Sequence, residues 1–294
     1  MLCDRNASYS CLSGLAPEGD EDELVPRRSA SYSKFRHTGD LIYESQNLDV
    51  PVVVVASEVE PWSKSGGLAI VAGAYGYEFA MRGHRTMVVA PMYEDYEGAT
   101  WLADKDIFFF GGNHRVKFYY QKKVHDAKSG AATDYVFVHL DCFRRAGGFY
   151  HDTNGEYGDN LFRFGLFAMA ALEAPLCLNI GGSTYGDKVL FMANDWQAGL
   201  LPVYLAHKFR PHGTYASARC IFVVGSLDRL RTSMSMLLPF FQHVLASRKA
   251  LNDRASLTLE VHNMGYQGTY PWSEDFLSNL CLPESVWSSA SVVS

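Results

Sequence analysis

From about residue 48 onward, short apolar runs alternate with longer stretches of helical periodicity, whereas residues 1–47 are Ser-rich and carry an acidic cluster at 18–23. The leader has no sustained apolar period and is expected to be largely disordered. Residues 51–56 are too short for a helix and rich in β-branched side chains, the pattern of a buried parallel strand. Residues 68–83 are Ala-rich and free of proline, which predicts a helix with Gly83 as its terminating C′ residue. A second strand is expected at 85–90, closed by Pro91. Strands at 116–120 and 135–139 flank a polar turn at 126–133. A helix at 161–173 follows Asp159 or Asn160 as its cap, with Pro175 as its stop. A strand at 189–193 and a helix at 197–207 complete the regular pattern.

Alternating strands and helices imply the α/β class: a Rossmann-like parallel sheet with helices on both faces. Such sheets bind ligands at the carboxyl ends of their strands. Lys64, Asp141, Asn194-Asp195 and His262 all follow predicted strands and so are placed around one crevice. Residues 221–257 fit poorly. They are basic and apolar with Pro239 in their middle, begin strand-like at 221–224, and then offer only a loose helical pattern. A long insert within an α/β unit is uncommon: it reads as a lid or as a fault in the assembled sequence.

The chemistry concentrates between the first strand and the first helix, in Glu58-Val59-Glu60-Pro61-Trp62-Ser63-Lys64-Ser65-Gly66-Gly67-Leu68. A strand, a glycine-bearing turn with a lysine, and a helix together present backbone N–H groups and a positive charge to a phosphate. Gly66 and Gly67 let the backbone approach a ligand without Cβ interference. The loop is neither a Walker A sequence nor the Gly-x-Gly-x-x-Gly fingerprint. A helix-entry loop with its lysine in solvent is the competing reading, and both stand on chemistry alone.

Composition narrows the choice by exclusion. The 294 residues are 48% hydrophobic, enough for a substantial core. A net charge of −6 gives no reason to expect nucleic acid or an anionic membrane surface as partner. No apolar run approaches the ~20 residues of a membrane span. The six cysteines, Cys3, Cys11, Cys142, Cys177, Cys220 and Cys281, contain no Cys-x-x-Cys pair. Reduced thiols therefore fit better than a disulfide framework or a zinc site. The acidic cluster argues against a plastid transit peptide, which is Ser-rich and poor in acids.

Taken in order, several blocks resemble the starch and bacterial glycogen synthases of glycosyltransferase family 5. They are Ser57-Glu58 with Pro61-Trp62-Ser63-Lys64-Ser65-Gly66-Gly67-Leu68, Arg82-Gly83-His84-Arg85, Phe110-Gly111-Gly112, and Tyr157-Gly158-Asp159-Asn160 with Arg163-Phe164. Ala171-Leu172-Glu173-Ala174-Pro175, Asn194-Asp195-Trp196 with 200–205, and His262-Asn263 with Tyr266-Gln267-Gly268 follow. Phe110-Gly111-Gly112 and residues 144–150 are most similar to the soluble plant and algal starch synthases. The resemblance covers roughly 48–220 and 258–287.

The resemblance implies the amino-terminal half of a GT-B fold, two Rossmann-like domains with the active site between them. It implies retaining transfer of glucose from ADP-glucose to an α-1,4-glucan, in a plastid, without a metal or other cofactor. ADP-glucose and the glucan are the expected partners, with other starch-synthesis enzymes as possible ones. On this basis Lys64 reaches the donor diphosphate, with Gly66 and Gly67 lining the cleft. Asn194, Asp195 and Trp196 border it, and His262 is the candidate catalytic residue. Asn263, Tyr266 and Gln267 approach the sugar or acceptor.

Departures from the family pattern matter equally. After Gly-Gly-Leu the family usually places Gly or Ala and then Asp, but here Ala69-Ile70 stands. After Asn-Asp-Trp the family has His, and here Gln197 replaces it. Glutamine hydrogen-bonds but carries neither proton nor charge. Glu260 puts a charge in a strand that is normally apolar. The chain stops at Ser294, before a second nucleotide-binding domain, and 221–257 interrupts a block continuous in the family, as retained intron sequence would. The expected domain organisation is thus a leader at 1–48 and a family amino-terminal domain at 49–294 with an atypical insert. Two functions follow: a starch-synthesis glucosyltransferase domain, weakly active or inactive alone, or a non-catalytic relative that binds glucan or an active synthase. Asp159 and Asn160 are expected to cap, 108–110 and 162–167 to fill the core, and Tyr119-Tyr120 to pack rather than stack on glucan.

Overall fold

The structure is a computed structural model that describes residues 50–224, 257–261 and 276–282. The leader and the sequence-derived site residues His262, Asn263, Tyr266 and Gln267 lie outside the described residues, as does most of the 221–257 segment.

The described chain forms one eight-stranded sheet and a small hairpin. In chain order its strands are β1 (Val52–Val55), β2 (Thr86–Pro91), β3 (Thr100–Phe109), β4 (Gly112–Asp126), β5 (Ala131–His139), β6 (His151–Asp152), β7 (Gly155–Glu156), β8 (Leu190–Asn194), β9 (Arg219–Val224) and β10 (Leu257–Val261). The sheet order is β10-β9-β8-β1-β2-β5-β4-β3. Neighbours from β10 through β5 run parallel, while β4 and β3 are antiparallel additions at one edge. β6 and β7 make the separate hairpin.

β1 sits at the centre, and its four valines are fully buried. Helix α1 (Gly67–Met81) covers one face, where Ala72 packs with Val52, Val54 and Val88. Helices α2 (Asn160–Cys177) and α3 (Leu200–Tyr204) cover the other, with Val53, Val55, Met87 and Val89. A short helix α4 (Phe276–Asn279) leads to Leu280 and Leu282, which join this second core. Close approach of α1 to the sheet depends on Gly76. A Cβ there would lie 2.8 Å from Val88 Cγ2, and the Gly76 carbonyl accepts Thr133 Oγ1 at 2.8 Å.

The parallel core follows the sequence reading closely; its periphery does not. β3 was not expected, and β4 and β5 extend well beyond 116–120 and 135–139. Pro91 lies within β2 rather than beyond it. Pro175 does not end α2, which continues to Cys177. A proline so near the carboxyl end removes little of the helical ladder. Asp159 holds the N-cap position without a side-chain cap bond; its carboxylate pairs with Arg145 instead, at 2.7 Å. Asn160 donates to the Tyr150 carbonyl. The stretch predicted as a helix at 197–207 is a 3₁₀ turn (Trp196–Ala198), α3, and a π turn (Leu205–Phe209). Of the residues assigned to core, Phe109, Phe164 and Phe167 are buried but Phe108 is 55% exposed. β9 begins at Arg219 and runs unbroken through position 221, so the strand-like start of that segment belongs to the sheet.

α2 alone among the described helices is long and apolar enough to cross a membrane, and 72% of that span is buried inside the protein as its core helix. Cys142, Cys177, Cys220 and Cys281 are free thiols. Burial pushes the Cys142 thiol up to about 11.

Candidate functional site

Residues following β1, β2, β5 and β8 converge at the carboxyl end of the sheet. The loop after β1 reaches the amino terminus of α1, and Glu58 organises it. This carboxylate is 2% exposed, yet it pairs with no arginine or lysine among the described residues. It accepts instead from the Ser65 N–H at 2.5 Å, the Gly66 N–H at 3.3 Å, the Ser65 hydroxyl at 2.5 Å and the Tyr150 hydroxyl. A buried carboxylate must be satisfied in this way or be neutralised. The partial positive charge at a helix amino terminus favours it further.

The Tyr150 hydroxyl also meets Ser57 Oγ at 2.8 Å, and Tyr93 donates to the Ser57 carbonyl at 2.8 Å. Burial raises both phenols well above their ordinary range, with the Glu58 charge adding to it. Both stay protonated and serve as donors. Trp196, in the 3₁₀ turn after β8, packs against Tyr150 and Phe164 with ring centroids 6.0 and 5.1 Å apart. The loop and the crest of β8 thus share one aromatic wall.

Lys64 stands next to this anchor, half exposed, with Nζ 3.1 Å from Glu60. An exposed pair of this kind is worth little and is readily exchanged for another anion. Gly66 caps α1 in an extended conformation, and Gly67 is its first residue. A Cβ on either glycine would meet no heavy atom within 4 Å, so the fold does not require glycine at these positions. The N–H groups of Gly67 and Leu68 make no hydrogen bond to a described residue outside the helix, and first-turn N–H groups lack partners within it.

The sequence-predicted residues divide accordingly. Lys64, Gly66, Gly67, Asn194, Asp195 and Trp196 all lie at this end of the sheet. Asn194 donates to the Val55 and Met192 carbonyls at 3.1 and 3.0 Å, tying β8 to β1. Asp195 has φ 60 and accepts from the Trp196 N–H at 3.0 Å, capping the turn. Asp141 is exposed at the start of a 3₁₀ turn (Asp141–Phe143), with no side-chain role shown. Gln197 is buried, and its Oε1, like Asn194 Oδ1, has no hydrogen-bond partner among the described residues. Ile70 is 49% exposed in the first turn of α1, which contains no acidic residue. β10 ends at Val261 at the same end of the sheet, and His262 lies outside the described residues.

Sequence reasoning missed the joint action of Glu58, Tyr93 and Tyr150, and the buried Arg163. Arg163 donates to the Cys142 and Phe149 carbonyls and to Asn160, pinning residues 142–150 to α2. The one available signal was an acid three residues beyond a fully buried strand.

A mostly parallel sheet covered by helices on both faces, with a glycine-bearing loop between its central strand and α1, places the described chain in the Rossmann-like α/β class. Residues 51–229 match the family described as starch synthase catalytic domain, and the chain belongs to that family. It is 44% identical over 184 residues to starch synthase 1 of Arabidopsis thaliana, a chloroplastic/amyloplastic protein, covering 60% of this chain and 27% of that one. It is 42% identical over 250 residues to soluble starch synthase 1 of Solanum tuberosum, covering 76% of this chain and 38% of the relative. The chain therefore spans roughly a third of the length of these relatives. A solved structure of the catalytic domain of starch synthase IV from Arabidopsis thaliana, bound to ADP and acarbose, aligns with a TM-score of 0.48 and 24% identity over 61% of this chain and 34% of that one.

Proposed function

We propose that this chain provides the amino-terminal half of an ADP-glucose-dependent α-1,4-glucan synthase of the plastid, and that its glycine loop receives the donor diphosphate. The observation that carries the reading is the pair Gly66-Gly67 at the mouth of α1, beside Lys64. The fold asks for neither glycine, and the first-turn N–H groups beyond the Glu58 anchor are unpaired among the described residues. The leaving diphosphate gains negative charge as the bond from glucose C1 to the phosphate oxygen breaks. A cation and oriented N–H groups fixed there before reaction lower that barrier most. The buried acceptors of Asn194 and Gln197 suit the hydroxyl donors of a sugar.

His262 remains the proposed catalytic residue, with Asn263, Tyr266 and Gln267 as proposed sugar contacts. No metal or other cofactor is proposed, and other starch-synthesis enzymes are proposed as further partners. Residues 1–48 are proposed as a leader and 49–294 as the domain, with 221–257 as its atypical segment.

A second reading is favoured by two observations at the site. Ile70 presents a hydrocarbon where the family places an acid, and Gln197 stands buried where it places a histidine. This chain would then bind glucan or a synthase without transferring glucose. Incubation of the expressed chain with labelled ADP-glucose and glycogen, alongside a glucan pull-down, separates the two. We expect no incorporation and weak glucan retention, and incorporation abolished by Lys64→Ala would establish live chemistry.

A further inference from the structure

Two of the N–H groups that a phosphate would be expected to find at the mouth of α1 are already taken. Glu58 Oε2 accepts from Ser65 and Gly66, and Oε1 accepts from the Ser65 and Tyr150 hydroxyls. One buried carboxylate thereby binds segments 92 residues apart in sequence, the loop before α1 and the aromatic wall carried by residues 142–150. A negative charge at this position repels a second anion from the same donors. It leaves the next two, Gly67 and Leu68, as the pair that a diphosphate can use with Lys64.

We propose that Glu58 is a positioning residue. It locks the Ser65-Gly66 backbone against Tyr150, so that an incoming diphosphate is directed to the Gly67 and Leu68 N–H groups and to Lys64. The ligand half of this inference rests on the donor-site reading above; the locking half does not.

The chemistry of the network distinguishes position from charge. A glutamine at 58 keeps one oxygen for the two backbone N–H donors. Its amide then donates to the Ser65 and Tyr150 hydroxyls, which can each accept. Alanine keeps neither arrangement. If Glu58 acts by position, glutamine rescues what alanine loses.

The test uses the full chain, with amide hydrogen exchange followed first without ligand and then with titrated ADP. Glu58→Ala is expected to speed exchange across residues 63–67 and 148–151 by about tenfold or more, the scale of losing a buried charged acceptor. Glu58→Gln is expected to keep both within about threefold of wild type. ADP affinity should follow the same order, about tenfold weaker for alanine and within about threefold for glutamine. Should alanine unfold the chain, Tyr150→Phe replaces it. That change removes one hydroxyl and should raise exchange at 63–67 by about threefold while β1 and β2 stay protected.

Unchanged exchange at 63–67 in Glu58→Ala, or in Tyr150→Phe where that variant is used, overturns the proposal, whatever ADP does. So does a glutamine variant as loose as alanine. If exchange behaves as expected but wild type binds no ADP, the locking role stands and the donor-site reading fails.

Discussion

Among the described residues two carboxylates are buried at opposite ends of the sheet, Glu58 at the carboxyl end and Asp134 at the amino end. Both accept from tyrosine hydroxyls. Asp134 takes Tyr120 at 2.8 Å and Tyr185 at 2.6 Å. Arg85 stacks 4.0 Å over the Tyr185 ring and gives four hydrogen bonds to residues 180–184. That network joins side chains of β4 and β5 to the turn after α2, and it lines a polar groove of about 500 Å³. Glu58 instead spends half its acceptors on backbone N–H groups at a helix mouth, beside an exposed lysine and two unhindered glycines. The difference separates a carboxylate that fastens the fold from one that shapes the proposed anion-binding surface. Both are buried and both hold tyrosine hydroxyls, and the neighbouring groups tell them apart.

Several substitutions would break that contrast if it is wrong. The largest expected effect is on stability at the amino end. Asp134→Ala leaves the buried Tyr185 hydroxyl and the partly buried Tyr120 hydroxyl without their acceptor and should cost about 3 kcal/mol in urea unfolding, with ADP affinity unchanged. Gly76→Ala should cost about 1–3 kcal/mol by the same measurement, because its Cβ would lie 2.8 Å from Val88 and 3.2 Å from Thr133.

The glycines at the carboxyl end should behave oppositely. Gly67→Ala should leave stability equal or raise it by up to about 1 kcal/mol through helix propensity, while calorimetric ADP affinity falls about tenfold. Lys64→Ala should shift the melting midpoint negligibly, since its pair with Glu60 is exposed, yet weaken ADP by about tenfold.

The smallest effect concerns pH. The His125 pKa is lowered by burial first and by Lys123 second, and that of His139 by burial first and Arg144 next. Neutral imidazole is therefore favoured in the folded state. The contribution of these two histidines to stability should be constant above about pH 6.5, the unfolded value, and decline as pH falls below it. A midpoint that rises on acidification from pH 7 to 5.5 would contradict this assignment.

The parallel core was legible because its signals are local. Four successive valines mark β1, and an Ala-rich stretch closed at Gly83 marks α1. The β3–β4 hairpin was obscured because most of β3 is only partly buried, so Thr100–Phe109 shows no clean alternation until its last residues. Pro175 misled because position within a helix, not presence, sets the cost of proline. The site was half legible. Lys64, Gly66 and Gly67 announce themselves by type and spacing. Tyr93 and Tyr150 reach Ser57 from 36 and 93 positions away, and no periodicity encodes such contacts. Gln197 and Ile70 were visible as departures, but only the structure shows one buried without a partner for its Oε1 among the described residues and the other half exposed.

The most direct test follows backbone amide resonances of the full chain while ADP is added. The account predicts shifts centred on Lys64, Gly67 and Leu68, with Lys122 and Gly181 beside the Asp134 groove unmoved. Shifts centred on that groove, or none at residues 64–68 at saturating ADP, would contradict it.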